Sequence, residues 1–531
     1  MAGTHFTMDA VLAQQTERTR GSSTSQLKQL IAESDSKIIL LENEMAALES
    51  RMAALVELRD LERATGDAFR FLAAPIRTLP VELLAEIFLL SIRELDLKSG
   101  FIYSMDWHIQ DAFRVSHVCR RWRQIANTTP RLWTGPISLD LEGPRHGQEG
   151  IYLNGLDTWL ARSAPLPVPI TIVTLEKGSR SNKSDSRALD ALLCISARWR
   201  SLRFVAFSPA QGWFVQRLTG CRLDCLEELF LSSLDHDSAD SHFDGTAILS
   251  FMTASRLRKV AFNSSCGIPM PWAQLTDITL GDILSPETFC NIFSQCINAV
   301  KVSISIRWLL PPPARRDALA LNQLRVLSIT WVGHEIHGMQ FLHSLSALAL
   351  DELRLFFEDG DGTDWDEATL TAFQLRSPNI TKLKIEGDGM LVPSHALIAV
   401  FRHAPCLTHF SIVDCPDSVD DHFCQALCYT DGVEPLVPRL HTLAVAEFRG
   451  NLSQDGLANT IASRWWSDAD AELASRSGPP VVARWRQIRL RDDSIYQGFG
   501  FSPKFRETMN ALQETGLDVD LVDVEFWELD W

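Results

Sequence analysis

No stretch of this 531-residue sequence approaches the run of ~20 apolar residues that a membrane-spanning helix needs. The opening "MAGTHFTMDAVLAQQTERTR" has no apolar core segment, so no secretory signal is expected. An excess of positive charge is missing too. Fifty Lys and Arg stand against 67 Asp and Glu, and the net charge of −17 argues against a general affinity for nucleic acid or anionic membranes. A local basic patch such as Arg120, Arg121 and Arg123 remains compatible with that balance. There is no Gly-rich phosphate loop, no Gly-x-Ser-x-Gly elbow and no His-Glu-x-x-His helix, so no catalytic constellation can be assembled and no enzyme is expected. The eleven cysteines are scattered and follow no leader, which points to reduced thiols in the cytoplasm or nucleus.

The composition that remains, 46% hydrophobic and 22% charged, is that of an ordinary globular protein. Its length suits two to four domains or one extended array. Residues 1–24 are polar and rich in Thr, Ser and Gln, and are expected to be disordered. Over residues 25–66, alternating steps of four and three pick out Leu27, Ile31, Ser34, Ile38, Leu41, Met45, Leu48, Met52, Leu55 and Arg59. Eight of these ten are apolar, which predicts a long helix with a coiled-coil seam. Such a seam needs a cover, either a second copy of the chain or the chain's own domains.

Residues 75–139 read as a compact helical unit. In "LPVELLAEIFLLSI", Pro80 suits the first turn of a helix expected to run to about Arg93. At about 100° per residue, Leu83, Ile87 and Leu90 share one face, with Leu84 and Phe88 roughly a quarter-turn away. A surface helix normally hides one apolar stripe, so the second asks for a partner. A further helix is expected from Asp111 to Asn127, with Phe113, Val118, Trp122 and Ile125 facing a core. "EGPRHGQEG" has the composition of a linker.

From residue 151 to 531 one pattern recurs: an apolar residue, two others, an apolar residue, one other, an apolar residue. It appears as "LRFVAF" from Leu202, "LEELFL" from Leu226, "LRKVAF" from Leu257, "LTDITL" from Leu275 and "AVKVSI" from Ala299. It continues as "LRVLSI" from Leu324, "LDELRL" from Leu350, "ITKLKI" from Ile380, "LTHFSI" from Leu407, "LHTLAV" from Leu440 and "WRQIRL" from Trp485. Strands of this kind alternating with helix-like segments predict an α/β chain, an irregular leucine-rich-repeat solenoid with a closing strand through Leu517, Val519 and Leu521. Residues between the apolar ones would face outward: Arg203, Glu228, Arg258, Asp277, Arg325, Glu352, Lys382, His409 and His441. Their mixed charge names no substrate. The His and Cys residues of "HAPCLTHFSIVDCPDSVDDHFCQALC" lack the spacing of a four-ligand zinc site, and "EDGDGTDWDE" misses that of a calcium loop, so neither metal nor cofactor is expected.

"LPVELLAEIF" followed by "VCRRWRQIANTTPRLW" closely resembles the F-box. The sequence keeps that family's Leu79, Pro80, Glu82, Leu83, Leu84, Ile87 and Phe88, then Val118, Cys119, Arg120, Trp122, Ile125, Ala126, Pro130, Leu132 and Trp133. It departs in a longer insert between Ile92 and Asp111. "LDTWLARSAPLPVPITI" and "ARWRSLRF" look like segments that follow the F-box in coiled-coil-led F-box proteins with irregular leucine-rich repeats. The resemblance implies a substrate receptor of an SCF-type ubiquitin ligase, docked on a Skp-type adaptor and through it on a cullin. Carried over by position, Leu79, Pro80, Leu84, Ile87 and Phe88 would dock the adaptor. Val118, Cys119, Trp122, Leu132 and Trp133 would extend that surface or hold it in place, with Leu83 and Ile125 internal. On this reading Leu84 and Phe88 stay half-covered until the partner arrives. The rival reading is a scaffold that assembles proteins with no ligase attached.

Overall fold

The computed structural model describes residues 12, 24–92, 106–141, 149–174, 187–206, 208–233, 249–263, 268–281, 285–306, 318–332, 338–358, 365–387, 391–415, 418–446, 452–466, 482–491 and 500–522. Expectations for the polar N-terminus, most of the insert before Asp111 and the core of the acidic "EDGDGTD" loop fall outside these residues. The chain forms two compact units, Met1–Ile87 and Phe88–Trp531. The first holds α1 (Thr24–Ala73), a 3-10 turn (Pro75–Arg77) and the start of α2 (Val81–Ser91). The 50 residues of α1 contain no buried side chain, so its apolar seam is uncovered among the described residues. The Arg77 guanidinium stacks on the Phe71 ring at 4.4 Å, fixing the turn that ends α1.

The second unit begins with α3 (Asp106–His117), α4 (Arg120–Asn127) and a 3-10 turn at Pro130–Trp133. The single helix expected over this region is two, broken at Val118 and Cys119. Cys119 is extended at φ −157° and its Sγ accepts from the Trp122 amide at 3.5 Å. It therefore starts a new helix as its N-cap, satisfying one of the amides that a helix start leaves open.

Strands follow in chain order: β1 (Ile137–Asp140), β2 (Val168–Thr174), β3 (Trp199–Ala206), β4 (Glu228–Ser233), β5 (Lys259–Phe262), β6 (Asp277–Leu280), β7 (Lys301–Ile306) and β8 (Leu319–Ala320). Then come β9 (Val326–Val332), β10 (Leu345–Ser346), β11 (Glu352–Glu358), β12 (Lys382–Gly387), β13 (His409–Val413), β14 (Thr442–Ala446), β15 (Gln487–Arg491) and β16 (Asp518–Val522). All but β8 and β10, which pair with each other, form one 14-stranded sheet whose neighbours are consecutive in the chain. Every described pairing is parallel, as strands joined by crossover connections must be.

Each copy of the repeated pattern sits on a strand, and the pattern explains why. In "LDELRL", Leu350 fills the corner before β11 while Leu353 and Leu355 line its inner side, all fully buried. Leu353 pairs with Leu383, and the row continues through Phe410, Leu443, Ile488 and Val519, one apolar layer along six strands. The sheet starts earlier than expected. β1 and β2, which stand on either side of residues 142–148, pair with each other, and both belong to the second unit.

Helices α5 (Glu149–Ser163), α6 (Arg187–Cys194), α7 (Ser208–Arg217), α8 (Pro286–Phe293), α9 (Glu367–Arg376), α10 (Ser394–Arg402), α11 (Asp421–Leu427), α12 (Gln454–Ser463) and α13 (Pro503–Glu514) fill the connections, with 3-10 turns elsewhere. Three arginines reach back about 30 residues to backbone carbonyls of earlier connections. Arg198 donates to Leu160 O (3.2 Å) and Leu166 O (2.8 Å), and Arg376 to Leu342 O (2.8 Å) and Leu345 O (3.0 Å). Arg464, fully buried, donates to Val437 O (3.2 Å) and Leu436 O (2.5 Å) beside the Trp485 ring. Burial pushes its pKa down to about 10, still high enough to keep it charged at neutral pH.

Arg464→Met should leave Leu436 O without its donor, while Val437 O keeps the Leu440 amide, and cost about 1–3 kcal/mol, read as a lower urea midpoint. Lys in the same place, with one ammonium for two carbonyls, should recover less than half of that loss.

Candidate functional site

Helix α2 has the two apolar faces its periodicity predicts, but the one that turns inward is not the one expected. Leu84 (0% exposed), Phe88 (1%) and Ile92 (8%) point inward. Leu83 (52%), Ile87 (41%) and Leu90 (85%) form the stripe open to solvent. Spacings of four and three put those last three within about 60° of one another. The expectation that Leu84 and Phe88 stand half-covered is therefore corrected, and so is that of an internal Leu83. Phe88 lies 4.6 Å from the Trp122 ring, a contact that uses up its surface inside the chain. Glu82 and Glu86, both exposed, border the open stripe.

The remaining expected residues separate in the same way. Leu79 is half-buried and Pro80 exposed, ahead of the α2 helix. Cys119 and Trp122 are half-buried, the first as an N-cap and the second against Phe88. Ile125, Leu132 and Trp133 are buried, whereas Phe113 is 38% exposed, against the core role expected of it, and Val118 is 60% exposed, against its core role but not against a place on the surface. Phe113 and Val118 line a shallow recess with Ile109, Gln110, Arg114 and His117. Leu83, Leu90 and Phe113 are exposed side chains that sequence reasoning did not assign to a surface, as is Val81 at 49%. The heptad-like spacing of the first two was readable, but which of two apolar faces turns inward was not.

Trp133 ties these helices to the sheet. Its Nε1 donates to Ala126 O at the end of α4 (2.7 Å). Its ring meets Phe113 of α3 edge-on at 5.6 Å and Trp159 of α5 at 5.1 Å, and the Arg162 guanidinium stacks on it at 4.4 Å. Two residues later, Gly135 is required by a close approach. A Cβ there would sit 2.1 Å from the His108 ring, and burial holds that imidazole below its usual pKa. Tyr152 of α5 donates to Ser138 O of β1 at 3.0 Å, a second tie between α5 and the first strand.

The outward side of the sheet carries a row in register: Glu228, Lys259, Asp277, Lys301, Val326, Glu352, Lys382, His409, Thr442, Gln487 and Asp518. Arg258, Arg325 and His441, expected in this row, stand one residue ahead of their strands. Signs alternate along its first half, and Lys259 pairs with Glu228 at 2.8 Å. The His409 and His441 rings meet edge-on at 4.8 Å. Burial, then His441 and the cations Lys382 and Arg486, lower the His409 pKa to about 4, against a raising influence from Asp351. Among the described residues no group of three or more His, Cys, Asp or Glu side chains could hold a metal ion, and burial raises the Cys424 thiol pKa to about 12. No described helix is long and apolar enough to cross a membrane.

With this geometry in hand, the comparison with known families is specific. Residues 76–137 match the F-box-like family model. The matched segment is 62 of 531 residues, from just before the α2 helix to the first residue of β1. F-box domains generally bind Skp-type adaptors, and the match suggests an SCF-type adaptor role in general terms. No curated protein matches the chain.

Leu84→Ala should cost about 2–5 kcal/mol and Leu83→Ala no more than about 0.5 kcal/mol in urea denaturation, since only the first leaves a cavity. Gly135→Ala should lower the melting temperature by displacing His108. Because His409 is held neutral in the fold, its contribution to stability is complete above about pH 6.5, its unfolded value, and is lost as pH falls toward 4. His409→Gln should therefore flatten the pH dependence of melting between those limits.

Proposed function

We propose that the chain is the non-enzymatic substrate-recognition adaptor of an SCF-type ubiquitin ligase. Its F-box segment docks a Skp-type adaptor that carries a cullin, and its parallel sheet acts as an irregular leucine-rich-repeat solenoid that binds a protein substrate. The observation that carries this reading is the coincidence of the F-box-like match with an uncovered Leu83–Ile87–Leu90 stripe inside it. A partner interface needs apolar anchors with a polar rim, and the α2 stripe bordered by Glu82 and Glu86 supplies both. In this proposal Leu84, Phe88, Leu132 and Trp133 hold the docking helices in shape, while Leu83, Ile87 and Leu90 change hands at the interface.

The mechanism is proximity. A substrate held on the sheet and an E2-bearing cullin held through the F-box share one assembly, which raises the effective concentration of the reacting groups. The Trp133 cluster joins α3, α4 and α5 beside the first strand, so the part of the F-box segment from Phe88 onward and the sheet belong to one compact unit. The substrate surface is proposed as the outward strand row, where alternating charge in the first half and the His409–His441 pair in the second give different chemistry along its length.

Leu83→Asp/Ile87→Asp should reduce co-purification of the Skp-type adaptor and cullin at least tenfold while leaving the melting temperature unchanged. Retention of both partners by that variant would remove the assigned face. Recovery of the unaltered chain with neither partner from cells that express them would favour the ligase-independent scaffold.

A further inference from the structure

The 50-residue helix α1 leaves all eight of its apolar seam residues exposed, Leu27 least at 40% and Met52 most at 66%. Steps of three and four assign Ile31, Ile38, Met45 and Met52 to the a positions of successive heptads, and Leu27, Leu41, Leu48 and Leu55 to d, with Ser34 the one polar d residue among them. We propose that the occupant of this seam is α1 of a second copy, in a parallel, in-register two-stranded coiled coil that sets two F-box segments at the same end of one assembly.

Composition of the seam favours this pairing. β-branched Ile at a with Leu at d suits a parallel dimer, and each layer then meets its own kind, with Ser34 on Ser34. The flanking charges fit in part. In register, Lys37 at g faces Glu42 at e of the other strand on both sides of the dimer, while Glu44 faces Glu49. The antiparallel alternative that keeps the same seam sets Glu44 against Arg51, but it also sets Lys28 against Arg63 and Glu42 against Glu49. It further places Arg59 opposite Ser34 in the middle of the seam, where the parallel form sets Arg59 on Arg59 past the last apolar layer at Leu55.

The area is adequate. Eight Leu, Ile and Met side chains at roughly 60–100 Å² each give about 500–800 Å² per copy, near the ~800 Å² per partner of a standard interface. The seam from Leu27 to Leu55 spans roughly 40 Å at 1.5 Å per residue. Orientation then decides geometry. The α2 helix begins at Val81, eight residues after α1 ends at Ala73, so a parallel dimer brings two docking stripes to one end. An antiparallel one would separate the two α1 ends by roughly 80 Å. Two docking stripes at one end would let two ligase arms serve one substrate assembly, and avidity would strengthen capture of repetitive or oligomeric substrates.

That consequence rests on the proposed adaptor role, whereas the dimer does not, and the test uses no adaptor so that the two can fail separately. Sedimentation equilibrium of the full chain at about 10 µM should give twice the 59.5 kDa of one copy. Leu41→Asp/Leu48→Asp should give one copy, with the urea unfolding of the sheet unchanged. A single-copy mass for the unaltered chain, or a double mass for the variant, overturns the seam. For orientation, Ser34→Cys/Arg59→Cys is oxidised mildly and the linked peptides are identified by mass spectrometry. Links between the two position-34 residues and between the two position-59 residues are expected. A link from position 34 of one chain to position 59 of the other overturns the parallel arrangement.

Discussion

The second unit is organised around the burial of one indole. Trp133 has no exposed surface, one hydrogen bond from its nitrogen to Ala126 O, and three neighbours drawn from two helices: Phe113 of α3, and Trp159 and Arg162 of α5. A buried indole needs a partner for its N–H, and the carbonyl at the end of α4 supplies it at no cost to that helix. Because Trp159 and Arg162 lie on α5, the same side chain that closes the small helical core also fixes the first connection of the sheet. Only three residues separate Trp133 from the start of β1, which leaves no slack for the helices and the sheet to move independently.

Sheet construction was legible because its rule is local. An apolar residue, two spacers, an apolar residue, one spacer and an apolar residue place one side chain in the corner and two on the inner face, whatever lies between the copies. All eleven copies carry strands, but "LRFVAF" is out of phase by three residues, since Leu202 and Phe204 pair with Leu229 and Leu231 as the inner-face residues. What the pattern does not contain is the start of the sheet. "PISLDL" and "PVPITI" hold β1 and β2 without the leading corner residue, so the first two strands were hidden and the polar segment between them looked like a boundary. The arginine ties were equally hidden. Arg198, Arg376 and Arg464 look like ordinary surface residues in sequence, since each acts on carbonyls about 30 residues earlier.

Helix α2 shows a different limit. Periodicity separates Leu83, Ile87 and Leu90 from Leu84 and Phe88 with no ambiguity, yet both sets are apolar and either could face inward. The choice is made by Trp122, whose ring reaches Phe88, and by the break at Cys119 that aims α4. Neither is a property of the α2 sequence. Family resemblance carried residue identity across but not the direction each side chain points, which is why the expected surface and the exposed one differ by about a third of a turn.

Docking through an outward stripe on α2, with Leu84 and Phe88 kept as interior support, is the claim on which the functional reading stands. Hydroxyl-radical footprinting of the full chain with and without a purified Skp-type adaptor tests it residue by residue. Oxidation of Leu83, Ile87 and Leu90 should fall sharply when the adaptor is added, while Leu84 and Phe88 stay at the low level their burial sets in both states. Unchanged oxidation of the three stripe residues in an adaptor-bound chain would contradict it.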